Sequence, residues 1–303
     1  MHILLTGGTG LIGRQLCRHW LAQGHRLTVW SRRPEQVSEL CGTGVRGIAR
    51  LDALGQEPVD AVDAVINLAG APIADRPWTR KRKMLLWSSR ITLTETLLTW
   101  LESREHKPSV LVSGSAVGWY GDGAERELTE DSPTVNEDFA SHLCIAWEET
   151  AQRAQALGIR VVLVRTGLVL SADGGFLSRL RLPFKLGLGG PIGNGRQWMP
   201  WIHINDQIAL IDFLVHENAA TGPYNACAPH PVRNAEFAKT LGRVLHRPAF
   251  MPMPAFVLRV LLGEMSQLLL GGQRATPARL LEAGFTFQFT DLRAALDDVS
   301  ARL

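Results

Sequence analysis

The residues with the clearest chemical potential stand in the first turn of the chain. Thr6-Gly7-Gly8-Thr9-Gly10-Leu11-Ile12-Gly13 places Gly7, Gly10 and Gly13 three apart, between the apolar run His2 to Leu5 and the helically spaced Leu11, Ile12, Leu16 and Trp20. Glycine permits a tight turn and lets backbone N–H groups approach a pyrophosphate, and a helix N-terminus adds unpaired donors and a positive partial charge. Glycines also gather in ordinary turns, so the triplet gains its meaning from the strand-loop-helix setting, which is that of a dinucleotide site. The next strand candidate ends in Trp30-Ser31-Arg32-Arg33, where an NAD site would carry an Asp or Glu for the ribose. A hydroxyl and a cation suit a 2′-phosphate that an acid would repel, so charge favours NADP(H) as cofactor.

A parallel sheet is needed to hold such a loop. Short apolar runs at His2 to Leu5, Arg26 to Trp30, Ala64 to Asn67, Ser109 to Ser113 and Arg160 to Arg165 read as strands. Helical spacing runs from Leu11 to a stop at Gly24, over Thr79 to Glu105 as one long helix, and over Phe139 to Leu157. After about Ser171 the chain turns to Gly- and Pro-punctuated loops, with helices at Ala235 to Leu245 and Ala255 to Leu270. The expected fold is α/β: a Rossmann-type doubly wound parallel sheet over residues 1–170, and a small mixed C-terminal substrate lobe over 171–303 with segments returning to the sheet. No Ser/Gly-rich linker separates the two, so the lobe is expected to pack tightly on the sheet.

Composition narrows the function classes. In 303 residues, 46% hydrophobic and 20% charged, the balance is that of a globular protein and excludes a disordered or fibrous one. A net charge of +3 gives no ground for nucleic-acid or membrane binding. Cys17, Cys41, Cys144 and Cys227 form no C-x-x-C pair, which argues against a disulfide framework or zinc knuckle. No signal peptide is visible in the run from Met1 to Leu5, and Arg259 and Glu264 interrupt the apolar stretch Ala255 to Leu270, so a cytoplasmic location is expected. His203 and Asp206 are three apart without a third ligand at metal spacing, and no metal is expected. Arg80-Lys81-Arg82-Lys83 reads as a solvated helix face, while Arg233, Arg274 and Arg279 read either as a clamp for an anion or as braces for loops. Trp198 and Trp201 are candidates for a pocket wall.

The sequence resembles the extended short-chain dehydrogenase/reductase superfamily nearly end to end. The resemblance rests on Thr6 to Gly13, on Asn67-Leu68-Ala69-Gly70, on Ser113 to Gly121, on Arg165 to Leu170 and on Pro200 to Asp206. Gly187 to Gly195, Pro231 to Asn234 and Gly284-Phe285 are similar, more narrowly, to the YfcH-type epimerase-like subfamily of atypical members. The resemblance implies that Gly7, Thr9, Gly10, Leu11, Ile12 and Gly13 meet the pyrophosphate and Ser31 with Arg32 the 2′-phosphate. It implies that Leu68, Ala69 and Gly70 lie along the adenosine side, with Arg90 a further cofactor contact, and that members pair as homodimers through the helices at Thr79 to Glu105 and Phe139 to Leu157.

The superfamily's usual chemistry needs Y-x-x-x-K, a tyrosine acid/base assisted by a lysine one helical turn on. Tyr120 and Tyr224 are the only tyrosines, and Ala124 and Ala228 stand four residues after them. The substitutes on offer are Ser115 at the place of the family serine, with Ser113 as its competitor, Tyr120 on the same loop as an acid, and His142 or Cys144 on the following helix. Two functions follow: an NADP(H)-dependent oxidoreductase or epimerase-like enzyme acting on a small molecule, or a catalytically silent NADP(H)-binding sensor or regulatory module.

Overall fold

His2–Thr6 is buried along its whole length, as a strand must be when helices cover both faces of its sheet. The computed structural model, which describes residues 1–302 apart from 56–58 and 136, sets this strand near the middle. From β1 (His2–Thr6) the chain runs through the glycine loop to α1 (Leu11–Ala22), β2 (Arg26–Trp30), α2 (Val37–Cys41) and β3 (Arg46–Ile48). It continues with β4 (Ala64–Asn67), α3 (Arg80–Ser88), α4 (Ile91–Ser103), β5 (Val110–Ala116), the short β6 (Glu127–Leu128), α5 (Phe139–Gln152) and β7 (Arg160–Thr166). Then come β8 (Leu168–Leu170), α6 (Phe176–Lys185), β9 (Trp198–Met199), β10 (Trp201–His203), α7 (Ile204–His216) and β11 (Gly222–Ala226).

Seven strands pair in the order β11-β7-β5-β4-β1-β2-β3, every neighbour parallel. The chain builds outward from β1 to β3, then restarts on the other side of β1 with β4. That reversal opens a crevice at the carboxyl ends of β1 and β4, the place where such sheets receive ligands. One face of the sheet packs Leu5 and Val29 against Leu16, Trp20, Ile211 and Leu214, and the other packs Leu4, Val65 and Leu111 against Leu97, Leu101 and Ala151. Trp20, wholly buried, satisfies its indole by donating to Asp212 at 2.6 Å, which ties α1 to α7.

The remaining elements are β12 (Val232–Arg233), α8 (Asn234–Val244), α9 (Ala255–Leu262), α10 (Gln267–Leu270), β13 (Arg274–Ala275), α11 (Ala278–Glu282) and α12 (Leu292–Ser300). They enclose a separate core of Phe184, Trp201, Phe237 and Leu296. Residues beyond 170 thus serve both parts, since α7 and β11 belong to the sheet. Among the described residues no helix is long and apolar enough to cross a membrane.

Two helices expected as single rods are broken. Thr79 to Glu105 divides into α3 and α4 at Ser89-Arg90. There Ser89 Oγ accepts from the Ala71 N–H at 3.0 Å, and the Arg90 guanidinium turns back to the carbonyls of Ala71 (3.1 Å) and Leu86 (3.3 Å). The break therefore anchors the loop that follows β4. Ala255 to Leu270 divides at Gly263, whose φ of +55° ends α9.

Candidate functional site at the carboxyl ends of the strands

The glycine loop is fixed from below by a polar chain. Thr6 Oγ1 donates to Asn67 Oδ1 at 2.7 Å and accepts from the Ala69 N–H at 3.1 Å, so the exits of β1 and β4 are tied together. Asn67 in turn donates to Thr94 Oγ1 at 2.8 Å and Ser113 Oγ at 3.3 Å, and the Trp147 indole donates to the same Thr94 oxygen at 3.2 Å. The fit is too close for side chains on the loop. A Cβ on Gly7, which also has φ +70°, would lie 2.6 Å from the Leu68 carbonyl, and one on Gly13 would lie 2.4 Å from Gly7 O. Gly10 begins α1 with no side-chain cap, and no acid stands in the first turn. The Gly10 N–H is donated to Gly7 O, and the first-turn N–H groups of α1 have no side-chain acceptor, the arrangement that suits an anionic ligand. Thr9, Leu11 and Ile12 stand on this loop and first turn. Arg14, next on α1, has a buried Nε without a partner. Sequence reasoning missed it because a cation on a helix ordinarily reads as solvated.

At the end of β2, Ser31 donates its N–H to Ile48 O at 2.9 Å, and its Oγ accepts from the Arg33 N–H at 3.1 Å. Arg32 is exposed, and no described carboxylate pairs with it. The Leu68-Ala69-Gly70 segment leads to Arg90. A Cβ on Gly70 would meet the Arg90 guanidinium at 2.8 Å, and that guanidinium also lies over the Trp147 ring at 5.3 Å. Arg90 is thus an inward-facing brace on the segment after β4, not a solvated helix cation, and burial lowers its pKa.

A cleft of about 1090 Å³ opens beside the loop, walled by Leu11, Ala116, Val117, Thr166, Trp198 and Met199 among others. From α5 it is lined by Ala140 and Cys144, one turn apart. The cleft-facing pair at the Y-x-x-x-K spacing is therefore a methyl group and a thiol. Burial, reinforced by Glu148, pushes the Cys144 thiol up to about 12, so it stays protonated at neutral pH. His142 points elsewhere, exposed and 2.8 Å from Glu137.

Behind this wall lies a buried ionic chain. Ser115 Oγ donates to Glu148 Oε1 at 2.6 Å, and Glu148 receives Arg165 Nε at 2.8 Å and Nη2 at 2.9 Å. Arg165 Nη1 donates to the Tyr120 oxygen at 3.0 Å, and the single Tyr120 O–H has two acceptors in reach, Asn225 Oδ1 and Thr129 O, each at 2.9 Å. Trp119 covers the Arg165 guanidinium at 3.6 Å. Ser115 precedes the wall residue Ala116 but does not itself line the cleft, its buried hydroxyl being held by Glu148, and Ser113 is held by Asn67. Tyr120, read from sequence as a candidate acid, is wholly buried outside the cleft wall with its hydroxyl spoken for. Burial, only partly offset by Arg165, pushes its pKa up to about 12. Glu148 and Arg165 were missed in the sequence, although an acid four residues after Cys144 on an apolar helix face is a usable signal.

The remaining candidates have structural partners. His203 accepts from the Asn205 N–H and meets Asp298 at 3.1 Å, while Asp206 accepts from the N–H groups of Gln288 and Phe289. Arg233 pairs with Glu125 and Arg279 with Asp131, and Arg233 and Arg274 both stack on Trp198. Trp201 is core, its indole donating to His230 O at 3.1 Å. Lys83, expected to be solvated, pairs with Glu264 of the C-terminal lobe.

Residues 3–227 match the NAD dependent epimerase/dehydratase family. The chain belongs to this family. Residues 253–299 match a domain of unknown function, DUF1731. The epimerase family protein YfhF of Bacillus subtilis (strain 168) is 41% identical over 301 residues, covering 99% of this chain and 98% of that one. The human epimerase family protein SDR39U1 (isoform 2), solved with NADPH, superposes with a TM-score of 0.90 at 37% identity over the whole of both chains. UDP-glucuronic acid 4-epimerase from Bacillus cereus, solved with UDP-glucuronic acid and NAD, shares the fold at TM-score 0.77 and 17% identity. In this epimerase-family chain, the Rossmann-like sheet carries the glycine loop, and α5 presents Ala140 and Cys144 to the cleft.

The raised Tyr120 pKa fixes a pH dependence. A phenol with a folded pKa of about 12 against roughly 10 when unfolded favours the folded state fully below pH ~10 and ceases to do so above pH ~12. Circular dichroism should therefore show stability falling across that window, and the fall should be shallower in Tyr120→Phe. Equal slopes in the two proteins would contradict the assignment.

Proposed function

We propose that this chain is an NADP(H)-dependent oxidoreductase or epimerase-like enzyme acting on a small molecule held in the cleft. The observation that carries the reading is that Leu11, the first residue of the uncapped α1, is itself part of the cleft wall. A dinucleotide seated on the Gly7–Gly13 loop then extends directly into the cleft. The NADPH named with the human relative supports the same cofactor. Ser31 and Arg32 hold the 2′-phosphate, and Leu68, Ala69, Gly70 and Arg90 flank the adenosine side. Arg14 adds positive charge beneath the loop.

The bound cofactor supplies hydride transfer to or from a substrate carbon. The protein's part is to bind, orient and steady the oxygen on that carbon. Ser115 is assigned the role of polarising it, which requires its hydroxyl to turn from Glu148 toward the cleft. Its hydroxyl rests on Glu148, and Glu148 keeps both Arg165 bonds when Ser115 turns away, so the turn leaves no buried charge unpaired. Tyr120 holds Arg165 in place and acts only through it. A second reading, a silent NADP(H)-binding sensor, is favoured by one feature: Ala140 and Cys144 offer no acid of ordinary pKa at the usual place.

Arg32→Glu should weaken NADPH by about 10- to 100-fold while changing NADH little, since a charge-assisted hydrogen bond is worth about 1.5–3 kcal/mol. Equal weakening of both in a fluorescence titration would remove the 2′-phosphate assignment. Ser115→Ala should leave NADPH affinity unchanged and lower cofactor turnover with carbonyl compounds by about 10²-fold. If wild-type protein binds NADPH yet turns over none of a panel of carbonyl compounds and sugar nucleotides, the sensor reading replaces the enzyme.

A further inference from the structure

The net charge of +3 conceals a strong asymmetry. Residues 176–203 and 237–263 each carry four cations and no carboxylate. The fold brings the two segments together. Met251 N–H donates to Gly189 O at 3.1 Å, Met253 N–H to Pro191 O at 2.9 Å, Gly193 N–H to Met253 O at 2.8 Å, and Arg247 Nε to Lys185 O at 3.1 Å. No described carboxylate lies within ion-pair distance of Lys185, Lys239, Arg243 or Arg247, and the last three surround a shallow hollow floored by Pro248, Ala249 and Phe250.

The same face is apolar. Leu182 on α6 and Leu186 just after it are 66% and 63% exposed, Phe250 is 74% exposed, and Phe256 and Val260, one turn apart on α9, are 68% and 81% exposed. Single exposed apolar residues need no explanation, but five of them on two segments that the fold pairs, one standing in a hollow lined by three cations without a described ion-pair partner, mark a binding surface. The occupant must accept aliphatic and aromatic side chains and supply negative charge around them. A second copy of this chain meeting face to face would set cations against cations. A nucleic acid would answer the charge but leave Leu182, Leu186 and Val260 in water.

We propose that this face of the C-terminal lobe is a peripheral binding site for a bilayer containing anionic phospholipid, with Phe250, Phe256 and Val260 entering the interface and Lys239, Arg243 and Arg247 meeting headgroup phosphates. Phe176 and Arg179 of α6 and Arg259 of α9 line the cleft, so docking sets the mouth of the site beside the bilayer. The proposal does not depend on the cofactor assignment.

The test is sedimentation of the full chain with vesicles of phosphatidylglycerol and phosphatidylcholine in equal parts, and with vesicles of phosphatidylcholine alone. The protein should partition to the mixed vesicles at least about tenfold more strongly and be released by high salt. Phe256→Ser with Val260→Ser should abolish binding, and Arg243→Gln with Arg247→Gln should remove the preference for anionic lipid. Unchanged melting temperature and NADPH response in these exposed-site variants show that the fold is intact. Wild-type protein left in the supernatant, or equal partition to both vesicle types, overturns the proposal. So does a dimer in light scattering that Phe256→Ser disperses, or displacement from vesicles by RNA but not by salt.

Discussion

Everything at the site depends on how closely the exits of β1 and β4 approach each other. The Thr6 hydroxyl bonds both to Asn67 and to the Ala69 N–H, and only a residue without Cβ can stand at Gly7 against the Leu68 carbonyl. This contact puts the uncapped end of α1 at the crevice created by the reversal of strand order. It also places Asn67 where it can organise Thr94, Ser113 and Trp147. The break between α3 and α4 serves the same end, because Ser89 and Arg90 use it to hold Ala71. A longer unbroken helix would leave the loop after β4 without these bonds.

The second organising feature is the Glu148–Arg165 pair, its side chains 5% and 4% exposed. Burying both charges is costly, and only full hydrogen bonding makes the pair tolerable. Ser115 and Tyr120 contribute to that bonding, with Asn225 in turn accepting from Tyr120, so residues that resemble catalytic candidates in sequence are first of all partners of a buried ion pair. The consequence for chemistry is specific. Tyr120 is consumed by the scaffold, whereas Ser115 touches the pair at one end only and can leave it without stranding a charge.

Much of this was legible in the sequence. The glycine triplet between β1 and α1, the strands β1, β2, β4, β5 and β7, and the absence of Y-x-x-x-K follow from residue type and local spacing alone, whereas the short β3 and β6 carry no such signal. What was not legible depends on contacts between distant segments. Thr79 to Glu105 has continuous helical periodicity, and the bend at Arg90 comes from carbonyls at Ala71 and Leu86. Arg14 escaped notice, and Arg90 was legible only as a cofactor contact and not as a brace for Ala71, because a helical pattern does not reveal which polar face is covered. Trp201 and Trp198 are three residues apart, yet one fills the lobe core and the other the cleft. The pairing of two acid-free segments on one face of the lobe is likewise a product of the fold, invisible in the nearly neutral sum of charges.

The central claim is that the Gly7–Gly13 loop holds NADP(H), with Arg32 choosing the phosphorylated form. Energy transfer from the native tryptophans to the reduced nicotinamide, followed while NADPH and then NADH are titrated into the purified protein, tests it most directly. The account predicts saturable transfer with NADPH at least about tenfold tighter than with NADH, the equivalent of one charge-assisted contact. Equal affinity for the two, or no transfer with either, would contradict it.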